Sequence, residues 1–463
     1  MAEKLTDRAI RARFRDAGDF VARDLICGGQ KIHAYMIDGL IAGVTASDMV
    51  FKPLSQMEPA PMAELYRRAL SGTIYINVAD SCNDLAAVES KLVNGFCVIL
   101  FPGVGAAAFE VKTPEKRGVS PPGVENTVKG PKDAFTETVR TNTSLLRRHL
   151  RTPDLRLYQT VVGTRSLTNV SVAWIEGITD PALVERLKAR LTEIRVDGIL
   201  SPSSVEELVT GNRKTPFPLL QYTERADKFA RGLLSGRVGL LVDGLPLGWL
   251  LPVDLGYLMT SPEDEEKDYV SASAVRILRY ASLLTSLLLP GIYIALVTFH
   301  QQMIPLPLLK AMVTSRADVP FSSLTEVAVL LLAFELLQEA GLHLPQAVGH
   351  SVSIIGGIVV GSAAVEANLI SPAALIAVSF AGICGFALPN RDLADSVRVC
   401  RFALTVLGGA AGLFGVTVGT IVLMIHLSGL TSLGHPYLAP FSQGDASGLL
   451  RRRINEMDRR GES

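Results

Sequence analysis

The sequence contains few charged residues for its length. Asp, Glu, Lys and Arg make up 19% of the 463 residues, whereas hydrophobic residues make up 48%. The 45 basic and 45 acidic side chains cancel, so net charge gives no reason to expect a nucleic acid as a partner. A composition this apolar is unusual for a soluble protein, and we expect part of the chain to lie in a membrane.

Cysteine is also scarce, and familiar catalytic motifs are missing. The five cysteines are odd in number and form no CxxC pair. They favour neither a disulfide framework nor a zinc site, and we interpret them as buried reduced thiols. The sequence has no GxGxxG, GxSxG or Walker A motif. It therefore indicates no cofactor, no metal site and no enzyme activity.

The apolar residues are concentrated in the second part of the chain. Five apolar segments lie at about 280–299, 321–341, 349–365, 369–388 and 402–427. Segments of about twenty residues can cross a hydrocarbon core of roughly 30 Å. The N-terminus has no apolar signal segment, and Arg276 and Arg279 precede the first apolar segment. We therefore expect the long soluble part to lie on the cytoplasmic side.

The first part of the chain has the pattern of an α/β fold. A helix is predicted over residues 4–24, and short β-branched runs at 72–80 and 95–103 alternate with helical stretches. A proline and glycine seam near residue 122 divides this part in two. We predict an α/β cytoplasmic N-terminal domain of two subdomains, followed by an α-helical multi-span membrane domain. The predicted boundaries are 1–121, 122–270 with a strap to the membrane, 271–430 with four or five spans, and a C-terminal tail at 431–463.

The sequence alone does not determine how the apolar segments are oriented in the membrane. If all five cross, the loop PNRDLADSVRVCR lies inside, but the basic tail RRRINEMDRR lies outside, against the positive-inside rule. If the second segment dips into the membrane without crossing it, the tail comes inside and the loop does not. A break in the last segment at Gly408, Gly409 and Gly412 would remove the conflict.

Three carboxylates lie in the second apolar segment. Glu335 and Glu339 share one helix face, whereas Glu326 is nine residues earlier and points to the opposite side. Carboxylates within a membrane segment face water, a partner or the bundle interior, because their burial in lipid is costly. They indicate either a cation pathway or a segment that lies at the membrane interface or is buried in protein, with its acids reaching headgroups or partners.

Small residues recur at every fourth position of the third segment. Gly349, Ser353, Gly357 and Gly361 leave one helix groove without side chains, into which another backbone can pack. The groove indicates either packing within one chain or a shared axis between identical helices. In the second case Val359 or Val360 could constrict a lumen by dewetting.

Two charged stretches admit a structural and a functional interpretation. The stretch 128–155 concentrates basic residues, which indicate an anion site at a helix N-terminus or an exposed docking face: Lys129, Lys132, Arg140, Arg147, Arg148 and Arg151. The acidic run SPEDEEKDY indicates a helix start capped by Ser261, or a vestibule that attracts cations.

Several stretches resemble one family. VENTVKGPKDAFTETVRTNTSLLRRHL, TPFPLLQYTERADKFARGLLSGRVGLLVDG, GGIVVGSAAVEANLISPA and SLGHPYLAPF are similar, in this order, to blocks of GerA-type spore germination proteins. The second of these stretches departs from the family at Ala226, where proline is usual. The resemblance covers about residues 16–443.

The resemblance implies the A subunit of a nutrient germinant receptor in the spore inner membrane. It implies a transporter-like B subunit and a lipoprotein C subunit as partners, and a ring of A subunits, thought to be pentameric, that conducts monovalent cations. Carried over to this sequence, it makes Val359, Val360, Ser362 and Glu366 candidates for the pore lining. No cofactor is implied.

Three other interpretations remain open. A SpoVAF-like branch of the family shares these blocks and would act as an accessory channel, although SPEDEEKDYVSASAVRILRY and LPGIYIALVTFH are closer to the receptor A subunits. A scaffold subunit would have no pore. A secondary transporter would need inverted repeats, which the membrane half does not show.

Overall fold

A computed structural model describes residues 5–112, 122–123, 125, 130–211, 215–343, 361–439, 441–443 and 449–450. The chain forms two compact units, an α/β unit of residues 1–213 and 220–252 and a helical unit of residues 214–219 and 253–463. The predicted order, an α/β half followed by a helical half, is confirmed. The chain passes between the units three times, because residues 214–219 belong to the helical unit.

The first subdomain of the α/β unit is built on a five-stranded antiparallel sheet of order β1-β2-β4-β5-β3. The strands are β1 (Phe20–Cys27), β2 (Gln30–Ile37), β3 (Ala79–Cys82), β4 (Phe96–Phe101) and β5 (Gly105–Glu110). The helices are α1 (Asp7–Arg13), α2 (Gly43–Ala46), α3 (Lys52–Ser55), α4 (Met62–Arg68) and α5 (Leu85–Val93), with π turns at Ser47–Phe51 and Ala69–Thr73. The central strand β4 is buried along its whole length, since apolar clusters cover both faces of the sheet.

The second subdomain has a sheet of order β6-β7-β9-β10-β8. The strands are β6 (Leu155–Val162), β7 (Thr168–Ile175), β8 (Gln221–Thr223), β9 (Val238–Val242) and β10 (Gly248–Leu251). The helices are α6 (Val139–His149), α7 (Pro181–Glu193), α8 (Pro202–Thr210) and α9 (Ala226–Leu234).

The two subdomains are repeats of one topology. In each sheet the third strand in sequence lies at the edge, beside the fifth, and one helix precedes the first strand. In each sheet the first two strands also pair end to end, Phe20 with Ile37 and Leu155 with Ile175. The sequence pattern predicts two subdomains but does not indicate that they are duplicates.

The repeat is closest around the last helix of each subdomain, α5 and α9. Residues 85–103 and 226–244 align without a gap, and in both a nine-residue helix leads into the fourth strand. Gly95 and Gly236 follow these helices with positive φ angles of 79° and 90°, and Gly103 and Gly244 follow the strands at 77° and 84°. Glycine readily adopts positive φ, so glycines at matching positions allow the same two turns in both repeats.

The predicted helix over 4–24 is wrong beyond Arg13. The C-cap Phe14 leaves the helical conformation, and Asp16 then adopts a left-handed φ of 63°. The N–H of Gly18 donates to the carbonyl oxygen of Leu157 at 2.7 Å, so the chain joins β6 before β1 begins. A Cβ on Gly18 would lie 2.8 Å from that oxygen, and glycine permits the close approach of the two repeats.

The helical unit contains two long helices. Its elements are α10 (Leu255–Leu258), α11 (Glu263–Glu266), α12 (Tyr269–Thr298), α13 (Leu306–Arg316), α14 (Ser323–His343), α15 (Pro372–Phe386) and α16 (Arg391–Gly429). Short pieces are the 3₁₀ turns Gln301–Met303 and Phe441–Gln443 and strands β11 (Thr431–Ser432) and β12 (His435–Pro436). Residues 361–366 are also helical. Within the described part of the chain, α12 and α16 are long and apolar enough to cross a membrane, and α15 is a shorter apolar helix.

α16 is a helical hairpin. Gly412 has φ 64° and ψ −148°, a conformation open essentially to glycine alone. Beyond it the chain turns back, because a Cβ on Gly415 would lie 2.2 Å from the carbonyl oxygen of Leu407 and one on Gly419 would lie 2.6 Å from a methyl of Leu404. In a straight helix Leu404 and Gly419 would be about 22 Å apart. We call residues 391–411 the first arm and 413–429 the second arm.

The contacts of the first arm fix the direction of its neighbours. Gly291 of α12 lies against Leu404, and Phe299 lies against Gly412 further along both helices, so α12 and the first arm are parallel. Glu335 of α14 instead binds Arg398 near the start of the first arm. Since Leu324 of α14 meets Gly409, α14 runs antiparallel to the arm.

Candidate functional site

Glycines set a close contact between α12 and the first arm. A Cβ on Gly408 would lie 2.5 Å from the carbonyl oxygen of Gly291, and one on Gly291 would lie 2.9 Å from that of Leu404. Backbones therefore touch where α12 crosses the first arm, as small residues allow in membrane bundles. Gly409 packs against the side chain of Leu324. The break that the sequence left open among Gly408, Gly409 and Gly412 thus falls at Gly412, while the other two serve packing.

Glu335 lies in a network of charges between α14 and the first arm. Its carboxylate accepts hydrogen bonds from Arg398 at 2.8 Å and Arg401 at 3.0 Å. Arg398 also donates to Gln338 and Asp395. A carboxylate held by two guanidinium groups is already neutralised, so this arrangement favours the paired interpretation of Glu335 over an open cation site.

Glu326 is fully buried at the opposite end of α14. One carboxylate oxygen accepts the backbone N–H of Ser371, whose side chain caps α15, and the other lies 3.7 Å from Arg316 of α13. Glu326 and Glu335 are separated by about 13 Å along the helix. Glu339 is exposed one turn beyond Glu335. The three acids therefore do not form one site, as their spacing predicted.

The small-residue segment is described only at its end. Gly349, Ser353, Gly357, Val359 and Val360 lie outside the described residues, and their predicted roles stay predictions. Gly361 is buried, and a Cβ on it would lie 3.5 Å from a methyl of Leu375 in α15.

Two polar residues that follow Gly361 in the same helix are exposed, unlike Gly361 itself. Ser362 and Glu366, one helical turn apart, are both exposed in the single chain. Within the described residues, Gly361 therefore packs on α15, while Ser362 and Glu366 lie at exposed positions of the same helix.

The acidic run before α12 is partly buried. Asp264 is fully buried and forms two hydrogen bonds with Arg279, at 2.6 and 2.7 Å, while Arg276 lies 3.6 Å away. The N–H of Ser261 donates to Asp264, and α11 begins at Glu263. Ser261 is therefore not the predicted side-chain cap, and Asp264 ties α11 to the start of α12 and does not face solvent.

The basic helix α6 joins the two repeats. Arg147 is buried and binds both carboxylate oxygens of Asp19, at 2.7 and 2.8 Å. Asp19 directly precedes β1; Asp154, which directly precedes β6, is bound in turn by Arg13 of α1 at 2.6 Å. In each repeat, an arginine of the first helix therefore binds the aspartate that precedes the first strand of the other repeat. This reciprocal pairing becomes predictable once the two repeats are aligned.

The anion site that the sequence offers for this stretch stays a prediction, because its turn includes residues outside the described part of the chain. Arg140 binds Asp38 at 2.5 and 2.8 Å. The hydrogen bond with His149 holds the pKa of Asp133 below its ordinary value, against the effect of burial. Lys129 lies outside the described residues, while Lys132 and Arg151 are exposed.

Other chemistry is not indicated by the described residues. No group of three or more His, Cys, Asp or Glu side chains among them is placed to hold a metal ion. All five cysteines are free, and burial raises the pKa of Cys97 to about 12, so that thiol is unreactive near neutral pH.

The geometry defines a class of protein: a duplicated α/β unit covalently joined to an apolar helical unit suited to a membrane. The model of the Bacillus/Clostridium GerA spore germination protein family matches residues 8–463. This chain belongs to the GerA family. Relatives named as spore germination proteins support a role in germination, and the family is not known as an enzyme family.

Individual relatives agree with this membership. The chain is 34% identical to the uncharacterized membrane protein YfkQ of Bacillus subtilis, over 90% of this chain and 82% of the relative. It is 38% identical to spore germination protein A1 of the same organism, over 76% of this chain and 73% of the relative. The N-terminal domain of the A subunit of the Bacillus megaterium spore germinant receptor GerK3 is 25% identical with a TM-score of 0.42, covering 54% of this chain and 96% of that domain.

Proposed function

We propose that the chain is the A subunit of a nutrient germinant receptor and that several copies form a nutrient-gated channel for monovalent cations in the spore inner membrane. The observation that carries this proposal is the polar side of helix 361–366. Ser362 and Glu366 are exposed there within an apolar sequence. A carboxylate facing lipid is costly, whereas one facing a water-filled axis between copies is not.

The sequence supplies the rest of the proposed pore. Val359 and Val360 precede Ser362, and their apolar side chains would close a lumen by dewetting, with Glu366 near its mouth. Glu326 and Glu335 are bound within the chain, which supports a pore lined by this helix and not by α14.

The proposed partners follow from the family resemblance. They are a transporter-like B subunit, which would bind the nutrient, a lipoprotein C subunit and further copies of this chain, in a ring of five. Neighbouring reading frames for B and C subunits would distinguish a receptor subunit from the SpoVAF-like alternative.

The pore assignment is tested by substitution. We expect Val360→Ala to widen the constriction and release potassium from spores without nutrient. The measurement is potassium release, compared with the wild-type chain at equal abundance. If bulky, small and charged replacements at residues 359, 360, 362 and 366 all leave release unchanged, the pore lies elsewhere and the scaffold interpretation gains support.

The hairpin supports one orientation in the membrane. Apolar residues from both ends of α16, Leu393 and Leu427, pack in one cluster with Leu258 and Met259, which precede α12. The start of α12, the arginine-rich start of the first arm and the chain that leads to the basic tail thus share one end of the bundle. We propose that this end is cytoplasmic, because Arg276 and Arg279, the arginines that open the first arm and the basic tail then satisfy the positive-inside rule.

This orientation makes a second prediction. Single cysteines introduced at Asp395 and at Arg452 should react with a membrane-impermeant maleimide from the same side of sealed vesicles, in a chain without its native cysteines. A cysteine at Gln302, after α12, should react from the opposite side. Labelling of residues 395 and 452 from opposite sides would contradict the hairpin as a membrane topology.

A further inference from the structure

A short proline-containing segment connects the α/β unit to the α16 hairpin. This segment, residues 215–219 with sequence TPFPL, is called the strap here. It lies within residues 214–219, which belong to the helical unit, although the chain up to residue 213 and from residue 220 belongs to the α/β unit. Several contacts hold this short segment in the helical unit.

The strap binds both arms of the hairpin. The hydroxyl of Ser396, at the start of the first arm, donates to the carbonyl oxygen of Pro216 at 2.6 Å. The Thr215 hydroxyl lies 2.9 Å from Nε2 of His426, near the end of the second arm. Since Gly412 closes the other end of the hairpin, the strap bridges the two arms where they are open.

Two further contacts fix the other end of the strap. Phe217 is only 4% exposed, and its ring packs edge to face against Tyr437 with centroids 6.2 Å apart. The carbonyl oxygen of Leu219 accepts the hydroxyl of Ser432 at 2.7 Å, and that hydroxyl accepts the N–H of Val253 at 3.0 Å. The strap is thus held by side chains, ring packing and backbone along its whole length.

The α/β unit holds the chain equally firmly one residue later. Leu220 is buried, and β8 begins at Gln221 and pairs with β10. Immediately after β8, Arg225 is buried and donates to Asp227 at 2.9 and 3.0 Å. Proline at residues 216 and 218 fixes φ and limits bending of the strap. A single residue, Leu220, separates the last contact of the strap, at Leu219, from the start of β8.

We propose that the strap transmits conformational change between β8 of the α/β unit and the open end of the α16 hairpin, so that a displacement of β8 alters the spacing of the two arms. This inference rests on the proposed channel function and specifies how gating would reach the membrane helices. Ser396 and Thr215 are positioning residues in this arrangement and do not line the pore.

Ser396→Ala tests the coupling, and Ser428→Ala is its matched control. Both serines lie in α16 and donate to the carbonyl four residues earlier, Asp392 and Met424, but the bond to the strap is made by Ser396. The assay is potassium release from spores with the full receptor, exposed to a mixture of amino acids, glucose and inosine, with chain abundance checked by immunoblot. We expect about five-fold slower release for Ser396→Ala, the factor that one hydrogen bond contributes, and unchanged release for Ser428→Ala.

Two further variants make the result specific. Ser396→Thr keeps the hydroxyl and should restore release, whereas Thr215→Val removes the partner of His426 and should slow it. In a Val360→Ala background the nutrient-free leak should stay unchanged by Ser396→Ala. Equal nutrient-triggered release rates for Ser396→Ala, Thr215→Val and Ser428→Ala would overturn the strap proposal. Absence of a nutrient-free leak from Val360→Ala would instead count against the pore assignment. The strap proposal would then still be decided by the nutrient-triggered release rates.

Discussion

Replacing Gly408 with alanine is expected to destabilise the helical unit by at least about 1–3 kcal/mol, although alanine is the better helix former. The new Cβ would lie 2.5 Å from the carbonyl oxygen of Gly291. Backbone cannot rotate away as a side chain can, so α12 and the first arm must separate along their contact. The helix crossing that positions the hairpin would then be lost.

Gly382 provides the control for this substitution. It lies within apolar helix α15, and a Cβ there would meet nothing within 4 Å. Gly382→Ala should leave stability unchanged or raise it by up to about 1 kcal/mol, because alanine favours the helix. Thermal unfolding of the full chain in detergent compares the two variants. Equal midpoints for both would show that the Gly408 to Gly291 contact does not form.

Replacing Arg147 with alanine is expected to destabilise the α/β unit by about 3–5 kcal/mol. The side chains of Arg147 and Asp19 are 0% and 3% exposed, and removal of the arginine leaves a buried carboxylate unpaired. For a unit of this size that corresponds to a fall in the unfolding midpoint of roughly 10 °C. The measurement is thermal unfolding of the full chain, followed by circular dichroism.

Arg140 on the same helix is the matched control. It also joins the two repeats, through Asp38, but the two side chains are 66% and 42% exposed. Arg140→Ala should cost at most about 1 kcal/mol, because solvent screens an exposed pair. The double variant Arg147→Met with Asp19→Leu should recover much of the loss of Arg147→Ala, since no buried charge remains. Similar losses for Arg140→Ala and Arg147→Ala would show that burial does not determine the strength of these contacts.

The sequence was sufficient for the order of the units and for the family. Hydropathy separated the apolar part from the α/β part, since an apolar run of about twenty residues matches the thickness of a hydrocarbon core. It was not sufficient for the duplication. The two repeats share few side chains, and their likeness lies in strand order and in glycine turns such as those at Gly95 and Gly236, which emerge only when the register is known.

The position of the turn in the α16 hairpin could not be predicted from the sequence pattern. A run of 39 helical residues would extend about 58 Å if straight, nearly twice the hydrocarbon thickness, so a break was required. Three glycines could have supplied it. Only packing decides among them, because Gly408 and Gly409 are needed where neighbours approach, while Gly412 alone among the three adopts the positive φ that reverses the chain.

The roles of charged residues depended on partners distant in sequence. Glu335 was recognisable as an unusual acid, but its pairing with Arg398 and Arg401 brings together residues more than sixty positions apart. Arg147 and Asp19 are likewise 128 positions apart. Asp264 and Arg279 are 15 positions apart but lie in different helices. Spacing along one helix predicts which side chains share a face, and it does not predict what the fold places opposite them.

The most direct test of the central claim is potassium flux through the full chain reconstituted in lipid vesicles. We predict that Val360→Ala conducts potassium without nutrient, that the wild-type chain stays closed, and that Val360→Ala combined with Glu366→Lys passes potassium more slowly because a cation is placed near the mouth. Absence of flux through Val360→Ala, with copies of the chain shown to be assembled by cross-linking, would contradict a channel formed by this chain.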